Sequence, residues 1–215
     1  MRADARANRQ AVVEAARWVF TEEGTSVAME RVAARAGVGI ATLYRRFPKR
    51  HDLVRAVIVD MLEAIGEATE RARAESGGDA AQAWELFVRS LARLRFGLLV
   101  PTLARHLAPS VEDDAELLAL AEERYAAAAD IFERAQQAGH LRADVTPVEL
   151  QMMLSAVARP VPRMPEATGT RLVERFVEVV IEGLRARPGV PPLPGLPVHR
   201  EELLEAVRTE QVSEG

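Results

Sequence analysis

Cysteine is absent from the 215 residues of this chain, which removes disulfides and thiolate metal sites from consideration. Aromatic residues are scarce, at 5%, so a core must be built mainly from aliphatic side chains. No apolar run reaches the length of a membrane span. The opening MRADARANRQ lacks the apolar segment of a signal peptide. A soluble, cytoplasmic protein is expected. The four histidines (His51, His106, His140 and His199) lie in separate segments without metal-ligand spacing. There is no phosphate-binding glycine loop, dinucleotide fingerprint or GxSxG elbow. An enzyme is not expected, and no cofactor or metal is implied. Sustained apolar–polar alternation and internal repeats are missing too, which leaves helical periodicity as the organising signal.

Charge is unevenly spread. The formal net charge is −4, but residues 1–55 hold 11 Arg/Lys against 6 Asp/Glu, and residues 56–215 hold 17 against 26. A head of net +5 on a body of net −9 is the balance expected of a small nucleic-acid-binding unit carried by a non-binding one.

The informative stretch is AMERVAARAGVGIATLYRRFPKR, from Ala28 to Arg50. Met29, Val32, Ala33 and Ala36 recur at helical spacing. Gly37 then supplies a turn that needs positive φ. A second short helix, roughly Gly39 to Phe47, points Leu43 and Phe47 inward and leaves Thr42, Tyr44, Arg45 and Arg46 outside. Pro48 ends it, because the residue before proline is pushed out of the α region. Two short helices joined by a tight glycine turn describe a helix-turn-helix. The outward face of the second carries hydroxyl, phenol and guanidinium groups and no acid, as a helix entering a DNA groove requires.

TLYRRF followed by Pro48, the AGVG turn and the Val32-Ala33 pair resemble the TetR-type transcriptional regulators, and Arg9 to Gly24 is similar to that family's first helix. The resemblance is specific over about the first 55 residues and architectural beyond them. Ala28, Gly39 and Lys49 stand where the family usually places Ser or Thr caps. The resemblance implies that Tyr44, Arg46, Lys49 and Arg50 hold phosphates while Ala41, Thr42 and Arg45 approach base edges. Lys49 and Arg50 also oppose the dipole of the helix they begin, which points to a phosphate nearby. Arg2, Arg6 and Arg9 could form an arm over the DNA, or simply fray.

The whole chain is expected to be all-α. A three-helix helix-turn-helix head (1–50) precedes a larger helical ligand-binding and dimerisation body (51–187). A proline-rich strap with a short C-terminal helix (188–215) follows. About nine main helices are expected: 8–23, the two of the motif, 49–74, 79–99, a short piece at 102–108, one from about 112 to 138, 147–159 and 170–186. Helix 170–186 is apolar over more than half its circumference, so it must be covered on two sides. In the family resembled, the last two long helices build a dimer interface, which here would use Leu150, Met153, Val157, Phe176, Val180 and Leu184. The alternative is a central core pair in a monomer. The family also implies a ligand cavity, for which Trp84, Phe87, Phe96, His106, Tyr125 and Phe132 are the candidate lining; each is otherwise ordinary core. The function implied is a repressor bound as a homodimer to a palindromic double-stranded operator and released by a small apolar or amphipathic effector. A helical adaptor, or a DNA binder without an effector, is the alternative.

Overall fold

A computed structural model describes residues 2–24, 26–94, 114–157, 164–203 and 205. Among them are eight helices of seven residues or more: α1 (Arg2–Glu23), α2 (Met29–Ala36), α3 (Ile40–Arg46), α4 (Arg50–Glu75), α5 (Ala80–Leu94), α6 (Ala115–Gln137), α7 (Pro147–Val157) and α8 (Glu166–Leu184). The fold is all-α. Among the described residues the only β feature is an isolated antiparallel bridge between Leu141 and Arg185. The expected short piece at 102–108 lies outside the described residues. No described helix is long and apolar enough to cross a membrane.

The first core is made by α1, α2, α3 and the start of α4. Val12, Val13, Ala16, Val19 and Phe20 of α1 meet Val32 and Ala33 of α2, Leu43 and Phe47 around α3, and Leu53, Val54 and Val57 of α4. α2 ends where Gly37 takes φ 68° and ψ 26°. The Gly37 N–H donates to the Ala34 carbonyl and that of Val38 to the Ala33 carbonyl. This is a Schellman cap, and the left-handed residue in it is one that glycine occupies without a Cβ penalty. α1 begins at Arg2 and not near Asn8, so the backbone of the expected basic arm is helical.

α4 leaves the head and enters the body without a break. Its Asp60 accepts from Gln10 Nε2 at 2.8 Å and from Arg17 NH1 at 3.1 Å, tying α1 to its flank. Farther along, Ala68 and Ala72 join a second core with Trp84, Phe87 and Val88 of α5, Ile131, Phe132 and Ala135 of α6, Leu150 and Leu154 of α7, and Val177, Ile181 and Leu184 of α8. One helix therefore serves two separate apolar clusters. Any tilt of α4 relative to the body must be felt in the head.

After α8 the chain crosses back over the 140–149 segment. Arg142 N–H donates to the Leu184 carbonyl and Ala186 N–H to that of His140. The 188–198 strap, which turns at Gly189 and Gly195, is then pinned at its middle and at its end. Asp144 Oδ2 accepts from Leu193 N–H at 2.7 Å, and Glu149 Oε1 from Val198 N–H at 3.0 Å. Thr146 donates its hydroxyl to the Val198 carbonyl. The Arg142 guanidinium beside Asp144, seconded by the Leu193 amide, holds that carboxyl well below the usual carboxylate range. Arg200 closes the strap, with its guanidinium 4.1 Å from the Tyr125 ring centroid and paired with Glu122.

Candidate nucleic-acid interface

α3 is seven residues long, and Leu43 is its only buried member. A helix this short is not stable alone, so it is held by Leu43 and by the flanking buried Phe47. Gly39 sits in the N-cap position with extended φ and ψ, and its carbonyl accepts from Thr42 and Leu43 N–H. This geometry leaves Ala41, Arg45 and Arg46 exposed, Tyr44 44% exposed and Thr42 half-buried. The face is cationic and free of acids, as its sequence implies. Ile40, the first residue of α3, is also 37% exposed. A large aliphatic side chain at the start of a helix whose N-terminal end meets base edges can lie against a thymine methyl. Sequence reasoning missed it because periodicity alone places an isoleucine inward.

The α3–α4 corner corrects one inference. Lys49 is exposed, but its backbone N–H donates to Asp52 Oδ2 at 2.9 Å, so an acid three residues on supplies half of a capping box. Arg50 is half-buried, and its NH2 donates to the Val27 carbonyl at 2.6 Å. The cations at the start of α4 are thus accompanied by an acid in the same turn. Their presence no longer points to a phosphate. Arg50 braces the α1–α2 connection, whereas Lys49 keeps its side chain in the open. Arg9 of α1 lies 5.3 Å from the Phe47 ring centroid, which brings another cation to this corner.

In the body, Trp84, Phe87 and Phe132 are packed into the second core, and Tyr125 lies half-buried under Arg200. None of the four lines the recess beside Arg89 and Val173 or the one beside Trp18 and Arg35. Phe96 and His106 lie outside the described residues. Among the residues expected in a subunit interface, Leu150 and Leu184 instead face the chain's own core, because α7 and α8 close over α5 with those sides. Met153, Val157 and Val180 are half-buried at its margin. Phe176, 46% exposed, and Val179, 70% exposed, point away from it. Among the described residues no three acidic or histidine side chains come together as a metal site.

Comparison with known proteins decides the family. The profile of bacterial regulatory proteins of the tetR family matches residues 12–57, and that of the SbtR-like transcriptional regulator C-terminal domain matches residues 79–186. A TetR transcription regulatory protein from Mycobacterium vanbaalenii is 32% identical, with a TM-score of 0.53 over 86% of this chain and 99% of that one. The chain belongs to the TetR family of transcriptional regulators.

Other relatives mark how far the likeness extends. The regulator LfrR of Mycobacterium smegmatis, solved in complex with proflavine, is 25% identical, with a TM-score of 0.57 over 87% of this chain and 99% of that one. An HTH-type transcriptional regulator of Staphylococcus aureus is 46% identical over 59 residues, which is 27% of this chain and only 32% of that protein's length. The chain therefore spans about a third of that protein's length. Family profiles match both the head and the body of the chain.

Proposed function

We propose that this TetR-family protein is a ligand-responsive repressor that binds a palindromic operator as a homodimer and is released by a small apolar or amphipathic effector. The observation that carries the DNA-binding part is α3, a helix anchored by one leucine whose outer face offers Ala41, Thr42, Tyr44, Arg45 and Arg46 without an acid. Thr42 and Arg45 read base edges, with Ala41 and Ile40 as apolar contacts, while Tyr44, Arg46 and Lys49 hold phosphates. Arg50 assists chiefly by holding the corner on which Lys49 stands. Two such helices must lie about 34–36 Å apart to enter successive major grooves on one face of the duplex.

Dimerisation is supported by Phe176 and Val179, large apolar side chains that the chain's own core leaves uncovered. Met153, Val157 and Val180 border them in this reading. Effector control is supported by the proflavine complex of LfrR, whose chain this one matches along nearly its whole length. An effector acts by preferring a body conformation that sets the two heads at the wrong spacing. The continuous α4 is the element that transmits the difference. The head (1–50), the body (51–187) and the strap (188–215) then divide DNA binding, sensing with dimerisation, and support. The protein works in the cytoplasm and carries no catalytic function.

The test is an operator selection from random duplex DNA, followed by titration of the selected sequence at several salt concentrations. Binding to a twofold-symmetric site with two chains per duplex supports the reading. Absence of sequence-selective binding at any salt concentration sinks it. If DNA binding is intact but a broad compound set changes neither melting temperature nor affinity, the protein is a DNA binder without an effector.

A further inference from the structure

Most large apolar side chains exposed among the described residues have a place in the reading above or lie along the strap. Ile40 and Tyr44 are on α3, Phe176 and Val179 on α8, and Val190, Leu193, Leu196 and Val198 on 188–198. Trp18 of α1, 41% exposed, is accounted for by neither. It borders a recess of about 450 Å³ formed by α1, the end of α2 and the end of α5, a volume within the range of small-molecule sites. One wall therefore comes from the DNA-binding head and the other from the body. None of the residues expected to line a ligand cavity takes part.

The charge in this recess is not balanced. Among the described residues, Arg17, Arg35 and Arg93 line it together with a single carboxylate, Glu14. Arg17 is committed to Asp60 of α4. The Arg35 guanidinium carbon lies over the Trp18 ring, 3.8 Å from its centroid. Among the described residues neither Arg35 nor Arg93 has a carboxylate partner, a state they share with other surface arginines such as Arg71 and Arg171. A guanidinium held over an indole ring still has N–H donors to offer a carboxylate. The remaining indole surface is available to a flat apolar group.

We propose that this recess binds a planar aromatic carboxylate, with its ring against the Trp18–Arg35 stack and its anion on Arg35 and Arg93. Such a ligand joins head to body, because Trp18 and Arg35 belong to one and Arg93 to the other. Binding stands independently of the proposed regulatory function. Its consequence, a change in DNA affinity, rests on that function.

The experiment uses the full chain and 2-naphthoate as the probe, with the neutral 2-naphthamide for comparison. Calorimetry should give saturable binding of one 2-naphthoate per chain. The carboxamide, Arg93→Gln and Arg35→Gln should each weaken it about tenfold or more, since each removes a charge-assisted hydrogen bond. The chain has two tryptophans, so two indole N–H signals are available to NMR. The one lost in Trp18→Phe should shift on titration and that of Trp84 should stay. No binding at millimolar probe, wild-type affinity in both arginine variants, or a shift of Trp84 alone would overturn the site. Intact binding with unchanged operator affinity would keep the site and overturn its coupling to DNA.

Discussion

Shortening Leu43 to alanine should disable the recognition helix before it disturbs the body. Leu43 is 0% exposed and is the only buried residue of α3. Three carbons leave the core in Leu43→Ala, worth about 2.4 kcal/mol at roughly 0.8 kcal/mol per buried CH₂. The cavity left behind adds to this, and measured changes of this kind reach about 3–5 kcal/mol. Seven residues cannot supply that much from helix propensity. The loss should therefore appear as local detachment of α3, with Phe47 as its remaining anchor. Urea unfolding followed by far-UV circular dichroism should lose about 3 kcal/mol in a transition assigned to the head. Operator affinity should fall by at least a hundredfold, since about 1.4 kcal/mol corresponds to a factor of ten. Leu43→Met keeps the volume and should cost less than about 1.5 kcal/mol. Wild-type operator affinity in Leu43→Ala, or a stability loss below about 1 kcal/mol, would refute the argument that one side chain holds α3.

Three further outcomes are expected. Phe176→Glu should give monomers, because a charge placed in a dry interface stays unpaired; light scattering that finds the wild type monomeric at micromolar concentration would remove the proposed interface. Arg45→Ala should cost about 1–3 kcal/mol and relax preference at one base position per half-site, whereas Lys49→Ala should weaken all sequences alike and lower the salt slope by about two per dimer. Base preference unchanged in Arg45→Ala would make Arg45 a phosphate contact. Asp144 should tie the strap to the body until well below the ordinary carboxylate range, because its folded-state pKa is depressed by Arg142 and by the Leu193 amide. A depressed carboxylate stabilises at pH above its unfolded value, and that contribution is lost as pH falls through the folded one. The Leu193 amide resonance should therefore stay unchanged on acidification through about pH 4, and a midpoint at that ordinary value would show that Asp144 is not held.

Local chemistry determined the head. Gly37 with φ 68°, Pro48 after α3, and Leu43 and Phe47 four residues apart each act within a few residues of where they stand. Sequence alone therefore placed both helices of the motif and its exposed cationic face. It also gave the order and type of the long helices, because their apolar periodicity is a property of each segment.

Tertiary structure decided whatever depends on two segments meeting. α8 is apolar on several sides, so sequence could not say that Val177, Ile181 and Leu184 turn inward while Phe176 and Val179 turn out. The answer depends on where α5 and α7 lie. Arg50 reads as one more surface cation until α4 is set beside the α1–α2 connection and the Val27 carbonyl comes within 2.6 Å. The proline-rich strap announces an extended backbone but not its course. Asp144, Thr146 and Glu149 fix that course from about 50 residues away along the chain. The Trp18 recess exists only because α1 and the end of α5 are brought together. Contacts so distant in sequence cost chain entropy to close and leave no periodic trace, so only the folded chain could disclose them.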